Sequence, residues 1–318
     1  MGRYSEADLT GVRTYSAADR PSKVQTFFEA KPLHAGMAVS AFLDALPDIL
    51  RAKDLKTVAA AIVRARQDNK PVIVMIGGHV IKAGCSPVLA GLMDAGFVTH
   101  LASNGAAAIH DAELALFGHT SEDVGAQLED GSFGMAADTA ELVNRAAGTA
   151  ARQSDGFGET VGRLLVEADP PHLQRALIGC AYQNGIPYTL HVAMGTDIVH
   201  QHPTADGAAI GEASHRDFRI LAASVSHLTG GGVVLNLGSA VILPEVFLKA
   251  LSVARNLKPG ITGFTTVNMD MIQHYRPSVN VVQRPVMTGG AGYAITGHHE
   301  IMIPLLAAAV YEIAARTS

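Results

Sequence analysis

Apolar residues follow two patterns along this chain. Short runs rich in Val, Ile and Leu end in glycine or small polar residues, and longer stretches between them place apolar residues at helical spacing. A short run that is apolar throughout is typical of a strand buried on both faces, as in a parallel sheet. We expect strands at 71–78, 97–103, 186–193, 232–238 and 261–268, with a further candidate at 278–284.

The alternation of these strands with helices predicts the fold class. Helical stretches follow most of the expected strands, and the last helix is expected at 300–315. Strand–helix alternation is the pattern of an α/β domain with a parallel sheet. We predict a single doubly wound, mostly parallel sheet with helices on both faces, which is a Rossmann-like architecture.

Other segments depart from this alternation. Residues 1–36 have the weak periodicity of an N-terminal arm, and residues 120–134 are acidic and contain several glycines. Three helical stretches then fill 135–184 before the alternation resumes. We therefore predict one domain over 37–318, with a helical insertion at about 120–184.

Composition narrows the class of protein. The 318 residues are 48% hydrophobic and 17% charged, with a formal net charge of −5 and two cysteines. This balance predicts a globular protein and gives no basic field for nucleic acid. No apolar run reaches the length of a membrane helix, and two cysteines make no disulfide framework. We expect a cytoplasmic protein without a membrane partner, and the high apolar content favours a homo-oligomer.

Small residues mark the ends of three expected strands. They form the groups Gly77-Gly78-His79, Ser103-Asn104-Gly105 and Gly238-Ser239. In open parallel sheets, ligands bind outside the carboxyl ends of the strands, where glycine lets a phosphate or ribose approach the backbone. None of the three groups matches a dinucleotide fingerprint or a P-loop, and each alone is typical of a plain turn. Three in one sheet together predict a dinucleotide site.

Histidines and carboxylates gather near the same predicted edge. His110 and Asp111 lie in the helix after the second strand, and Asp197 and His202 follow the next strand along the chain. Imidazole and carboxylate groups at one sheet edge can transfer protons near neutral pH. These four residues are the catalytic candidates.

Metal binding is an alternative use of the histidines. The pair His200 and His202 and the group His298-His299-Glu300 contain the ligand types that zinc prefers. They would support a metal-dependent hydrolase, although no H-E-x-x-H spacing is present. The metal, if there is one, stays unknown at this point.

Several motifs resemble those of the deoxyhypusine synthase family, over nearly the whole chain. The segments "GGHVIKAG" (77–84), "SNGAAAIHD" (103–111) and "TDIVHQH" (196–202) are similar to its cofactor and substrate motifs. Leu237-Gly238-Ser239 resembles its later glycine cluster, and "HHEIMIPLL" (298–306) resembles the start of its last helix. The resemblance implies NAD as cofactor, a homotetramer, and cofactor contacts by Thr266, His298 and His299.

One departure from that family concerns its catalytic lysine. The family carries this lysine before the closing helix, whereas the present chain has no lysine after Lys258. An imine on that lysine is therefore impossible here, and the chain is not expected to be a true deoxyhypusine synthase. "SNGAAAIHDAELALFG" (103–118) also resembles, more weakly, the NAD-binding part of archaeal-type ornithine cyclodeaminases.

Together, the resemblances imply an NAD-dependent enzyme with transferase or oxidoreductase chemistry on a primary amine or amino acid. Hydride would pass from the amine-bearing carbon to the nicotinamide, leaving an imine that no lysine holds. A protein that binds the nucleotide as a sensor or scaffold, without turnover, is the alternative from a different class.

Overall fold

The sheet has the predicted α/β architecture. The computed structural model describes residues 3–20 and 24–317, and its strands form one sheet in the order β3-β2-β1-β4-β5-β6. All neighbouring strands are parallel. The strands are β1 (Val72–Ile76), β2 (His100–Asn104), β3 (Tyr188–His191), β4 (Val233–Leu237), β5 (Phe264–Asp270) and β6 (Gly290–Thr296). The predicted fold class is confirmed.

Helices cover both faces of this sheet. They are α1 (Val39–Ala45), α2 (Leu50–Gln67), α3 (Gly78–Lys82), α4 (Ser86–Asp94), α5 (Gly105–Phe117), α6 (Val124–Asp130), α7 (Ala137–Gln153), α8 (Phe157–Ala168), α9 (Leu177–Gln183), α10 (Gly207–Val225), α11 (Ile242–Leu257), α12 (Tyr275–Pro277) and α13 (His299–Thr317). Pro47 lies between α1 and α2, since proline is unfavourable in the interior of a helix.

Alternating side chains of the strands enter two separate cores. Val74 and Ile76 of β1 pack into the larger core with α2, α5 and α13. Ile73 and Met75 point to the opposite face and pack with α10 and α11. Because successive residues of a strand face opposite sides, a strand with a core on each side must be apolar throughout. This is why the apolar runs located these strands.

The prediction of a strand at 278–284 was wrong. Residues Ser278–Gln283 form a turn of π-helix that continues α12, and the last strand of the sheet is β6 instead. The sequence Gly-Ala-Gly-Tyr-Ala-Ile-Thr of β6 contains few β-branched residues. Gly292 is required because a Cβ there would overlap the carbonyl oxygen of Val282 in the helical turn. Because that turn packs closely against β6, the strand contains glycine where an apolar side chain would have indicated a strand.

The segment between β2 and β3 contains the expected helices, and a buried carboxylate joins one of them to the sheet. Asp217 of α10 accepts hydrogen bonds from the backbone N–H groups of Phe157, Gly158 and Leu190 at 2.7–2.9 Å. It thus joins the start of α8 to β3. The segment 120–134, expected to be irregular, includes the short helix α6.

The N-terminal segment contrasts with the rest of the chain. Residues 3–20 and 24–36 are almost all exposed, and Pro21–Lys23 of the predicted arm lie outside the described residues. The boundaries of the arm and of the single domain stay predictions.

Within the described ranges, no helix is long and apolar enough to cross a membrane.

Candidate functional site

The order of the strands places a crevice between β1 and β4. The sheet is wound in opposite directions on either side of this pair, which is where open α/β sheets bind ligands. Gly77 follows β1 and Gly238 follows β4. A Cβ on Gly77 would overlap the carbonyl oxygen of Gly238, and Gly238 has a φ of +70° that favours glycine. Both residues therefore keep the backbones close together at the crevice.

His299 closes one side of this crevice. A Cβ on Gly238 would lie 2.7 Å from Cε1 of its ring, and His79 lies on the same side with ring centroids 5.5 Å apart. Nε2 of His299 is 3.3 Å from the carbonyl oxygen of Met269, whereas its buried Nδ1 has no partner in the described part of the chain. Burial lowers the pKa of His299, although the Asp270 carboxylate acts in the opposite direction. The ring is therefore neutral at pH 7 and offers one free nitrogen.

The other residues predicted near the cofactor have different environments. Ser239 is buried, and its hydroxyl accepts a hydrogen bond from the backbone N–H of Leu243 in the first turn of α11. Thr266 is buried within β5, and its hydroxyl has no hydrogen-bond partner among the described residues. His298 is exposed and 3.8 Å from the Glu300 carboxylate. The Ser239 hydroxyl therefore already takes part in a hydrogen bond within the protein.

The end of β2 is occupied by contacts within the protein. The Ser103 hydroxyl is buried and lies 2.5 Å from the Tyr188 hydroxyl of β3. The Asn104 side chain caps α5 by accepting from the N–H of Ala107 at 3.0 Å. Both side chains thus have hydrogen bonds within the protein, and their place beside a cofactor stays a prediction. Gly105 packs under Asp197, where a Cβ would overlap the carboxylate.

A cavity of about 220 Å³ lies next to the crevice, on the β2 side. We call it the His110 cavity; it is formed by α3, α5, the 121–133 segment and residues 196–198 after β3. Its lining residues are Lys82, Ala106, Ile109, His110, Glu113, Ser121, Glu122, Val124, Phe133, Thr196, Asp197 and Ile198. His110 also packs against Gly78, whose added Cβ would lie 3.2 Å from the imidazole. The cavity and the crevice thus meet at the backbone after β1.

His110 is held by a short chain of polar side chains. Its Nδ1 is 2.7 Å from the Thr120 hydroxyl, which donates to Oε2 of Glu113 at 2.5 Å. The other oxygen of Glu113 accepts from the Thr139 hydroxyl at 3.1 Å. Burial raises the pKa of Glu113, but the nearby His110 and the hydrogen bonds from Thr120 and Thr139 outweigh it and hold the pKa below its ordinary value. Glu113 is therefore an anion at pH 7.

Asp197 lines the same cavity, and one of its carboxylate oxygens is buried without a hydrogen-bond partner among the described residues. Its side chain is only 4% exposed, and its Oδ2 has no hydrogen-bond partner within the described residues. Nε2 of His200 lies 3.8 Å from that oxygen. Burial raises the pKa of Asp197, and the neighbouring His200 acts against this rise. A buried carboxylate oxygen without a donor is costly, and a ligand N–H or ammonium would satisfy it.

The structure separates the other two catalytic candidates from His110 and Asp197. Asp111 points away from the cavity and accepts backbone N–H groups of Leu177 and Ile178 at 2.9 Å, at the start of α9. Burial raises the pKa of Asp111 to about 7, against these two hydrogen bonds. The contacts of Asp111 favour a structural role, because consecutive residues of a helix face different sides. His202 lies 3.0 Å from the carbonyl oxygen of Gly134 and does not line the cavity.

Three charged residues of the cavity were missed in the sequence. Glu113 lies one turn after His110 and on the same face of α5, so helical spacing could have identified it. Lys82 is at the end of α3, and Glu122 lies in the loop after α5. No pattern in the sequence indicates that these segments fold over one cavity.

In the described part of the chain, the histidines do not come together with other ligand residues in a metal site. Among residues 3–20 and 24–317, no group of three or more His, Cys, Asp and Glu side chains has an arrangement that could hold a metal ion. His202 and His298 have partners elsewhere, as described above. The metal-dependent hydrolase therefore has no site in this part of the chain.

Sequence comparison gives a partial match. Residues 56–147 match the family model of the Rossmann-fold C-terminal domain of ArgZ-like arginine dihydrolases. This range covers β1, β2 and the helices up to α7, including His110, Glu113 and Thr120. No curated protein matches the chain in sequence.

Solved structures share the fold over most of the chain. A conserved protein named as LOR/SDH from Methanococcus maripaludis S2 has a TM-score of 0.53 at 16% identity, covering 84% of this chain and 71% of its own. AgrE in complex with ornithine and NAD⁺ has a TM-score of 0.54 at 17% identity, covering 83% of this chain and 33% of its own. A protein named as a deoxyhypusine synthase from Entamoeba histolytica has a TM-score of 0.50 at 10% identity, covering 88% and 95%.

At these identities the likeness shows the Rossmann-like fold. The chain spans about a third of AgrE, and about the same share (31%) of ArgZ from the cyanobacterial ornithine–ammonia cycle. The resemblance to the NAD-binding part of amino-acid enzymes thus agrees in fold with solved structures.

Proposed function

We propose that this protein is an NAD-dependent enzyme that oxidises the amine-bearing carbon of an amino acid with a second cationic group. The observation that carries the proposal is the buried, unpartnered Oδ2 of Asp197 in a cavity shared with His110. The solved structure of AgrE with ornithine and NAD⁺ supports the choice of cofactor and substrate class.

The crevice between β1 and β4 fits the cofactor. Gly77 and Gly238 let the backbones after β1 and β4 approach each other at the switch point of the sheet, and His299 beside them has a buried Nδ1 without a partner among the described residues. When bound, NAD supplies a hydride acceptor. Gly77, Gly78, Gly238 and His299 would hold it, with His79 in reach of the same edge. Thr266 pairs with Val234 near the amino end of β4 and lies farther from that edge.

The charges of the His110 cavity fit the substrate. The cavity is lined by three carboxylate residues and one lysine, which are Glu113, Glu122, Asp197 and Lys82. Two ammonium groups and one carboxylate would complement this set. Asp197 would accept an N–H of the ammonium group, and Lys82 would pair with the substrate carboxylate at the cavity rim.

His110 has the position of the general base. Its ring lines the cavity and contacts the backbone of Gly78, between the cofactor crevice and Asp197. A neutral imidazole there would remove a proton from the substrate ammonium, and the free amine is the form that can release hydride from its carbon. The apolar Ile109, Val124, Phe133 and Ile198 would limit the access of water.

The test is calorimetric titration of the purified protein with NAD⁺ and NADH, followed by a panel of amines and amino acids with reduced nicotinamide as the readout. We expect cofactor binding, and turnover with diamino acids above that with monoamines or simple amino acids. Absence of binding at millimolar cofactor would contradict the proposal. Binding without turnover on any amine would favour a nucleotide sensor or scaffold.

A further inference from the structure

We infer that Thr120 and Glu113 are positioning residues that fix the tautomer of His110, with the proton on Nδ1 and the lone pair of Nε2 directed to ligand. The inference concerns the cavity of the proposed function, and it relies on that function only for what Nε2 does. Neither residue was among the candidates from the sequence.

The number of available hydrogen atoms determines which of these groups donates and which accepts. A threonine hydroxyl has one proton, and Thr120 gives it to Oε2 of Glu113 at 2.5 Å. The Thr120 oxygen can then only accept from His110, whose Nδ1 lies 2.7 Å away. A nitrogen that donates must carry hydrogen, so the neutral ring has its lone pair on Nε2.

The Glu113 carboxylate determines which group donates each of these hydrogen bonds. An ionised carboxylate only accepts hydrogen bonds, and both oxygens of Glu113 have a threonine donor. Thr139 on α7 supplies the second donor, and Glu113 itself is buried. Rotation of the Thr120 hydroxyl toward His110 would leave Oε2 of a buried carboxylate without a donor, which is unfavourable.

The remaining charged groups of the cavity lie on other elements. Lys82 on α3, Glu122 in the loop after α5 and Asp197 after β3 line the cavity, and His200 stands behind Asp197. Each of these groups bears on the charge of the imidazole. The contact to Nδ1, by contrast, comes from Thr120, with the Glu113 carboxylate 3.9 Å from that nitrogen.

The arrangement is assembled from three parts of the chain. Glu113 belongs to the α5 of the Rossmann sheet, Thr120 to the loop after it, and Thr139 to the helical segment that separates β2 from β3. This gives the insertion a function beyond packing, because its helix α7 keeps Glu113 in place for His110.

Nuclear magnetic resonance of the full chain with ¹⁵N-labelled histidine tests the inference directly, at a pH where imidazole is neutral. The His110 signals, assigned by comparison with His110→Gln, are expected to show hydrogen on Nδ1 and a lone pair on Nε2. Glu113→Gln introduces an amide that can donate to Thr120, which then donates to His110, so we expect the tautomer to reverse. Thr120→Val is expected to remove the preference, and Thr120→Ser to restore it.

Thr149→Val is the matched control, because Thr149 lies on α7 and contacts only a surface arginine among the side-chain hydrogen bonds described. It is expected to keep the wild-type tautomer. A wild-type His110 with hydrogen on Nε2, or the same tautomer in wild type, Thr120→Val and Glu113→Gln, would overturn the inference. Because no cofactor is added, failure of NAD binding or of turnover would contradict the proposed function and leave this inference standing.

Discussion

Two histidine–threonine hydrogen-bond chains lie in different places: the first borders the His110 cavity, and the second lies between β2, β3 and α10. In the first, His110 contacts Thr120, and the chain ends on the Glu113 carboxylate at a cavity. In the second, Thr189 of β3 lies between His100 and His191, at 2.9 and 3.0 Å from their rings. The other nitrogen of His100 is 2.8 Å from the Ser224 hydroxyl, so this chain meets hydroxyl groups only.

The difference is one of charge and access. Burial lowers the pKa of His100 and of His191 to about 3, and both rings are therefore neutral at any ordinary pH. They act as hydrogen-bonding spacers between β2, β3 and α10. The hydrogen-bond chain of His110 has an anion at one end and a cavity at the other. A ligand in the cavity would lie within reach of the imidazole, which proton transfer needs. Residue type and hydrogen-bond geometry alone do not distinguish these two cases.

The largest expected effect is on catalytic activity, and it distinguishes the two hydrogen-bond chains. If His110 is the base, His110→Ala should lower turnover by about 10²- to 10⁴-fold, the usual contribution of a general base. His100→Asn should lower stability and leave turnover of the folded protein unchanged. Steady-state kinetics, with NAD affinity from calorimetry, measures both. Equal activity of His110→Ala and wild type would place the chemistry elsewhere.

The second prediction concerns pH. In the unfolded chain His100 and His191 take up a proton near pH 6.5, whereas in the folded protein they do so only near pH 3. The folded state therefore binds fewer protons in this window, and stability is lost as the pH falls below about 6.5. Between pH 6.5 and about 5, each ring contributes a loss of at most about 2 kcal/mol.

Urea unfolding at several pH values measures this loss, and His100→Asn/His191→Asn is the variant for comparison. Its stability should depend less on pH in the acidic range than that of wild type. Asp111 and Asp217 act in the opposite sense, since burial raises the pKa of each to about 7 and their ionisation removes stability as the pH rises toward 7. Parallel pH profiles of the variant and wild type would show that the two rings are not responsible.

A smaller effect is expected next to His110, at the residue that faces away from the cavity. Asp111→Ala leaves the N–H groups of Leu177 and Ile178 without an acceptor, at a cost of about 2–3 kcal/mol. Ligand affinity of the folded variant should be unchanged. Thermal unfolding and calorimetry test the two parts separately. A loss of ligand affinity without a loss of stability would return Asp111 to the catalytic candidates.

The smallest change in stability is expected at the cofactor crevice. Gly77→Ala places a Cβ against the carbonyl oxygen of Gly238, which should cost about 1–3 kcal/mol. The same strain should weaken NAD binding at least about tenfold, if the crevice holds the cofactor. Gly211→Ala is the control, because no atom lies within 4 Å of a Cβ on this helical glycine. Alanine there should stabilise α10 by about 0.5–1 kcal/mol and leave NAD binding unchanged.

The sequence predicted the sheet better than it predicted the site. Strands β1 to β5 were located within a few residues because burial on both faces requires an apolar run, and that requirement is local. It failed at β6, where the need for glycine arises from a distant carbonyl of the helical turn. Among the site residues, His110 and Asp197 share a cavity as expected, whereas Ser103 and Asn104 proved to be occupied by structural hydrogen bonds.

What the sequence determined by itself is the order of strands and helices, the glycines at strand ends and the supply of histidines and carboxylates. These follow from periodicity and residue type, which act over a few neighbouring positions. The tertiary structure decided that Thr120, Thr139 and Glu113 meet, that Asp111 faces away from His110, and that His100 and His191 are sealed in the core. Such contacts join residues from 7 to 124 positions apart, and only the packing of the helices on the sheet brings them together.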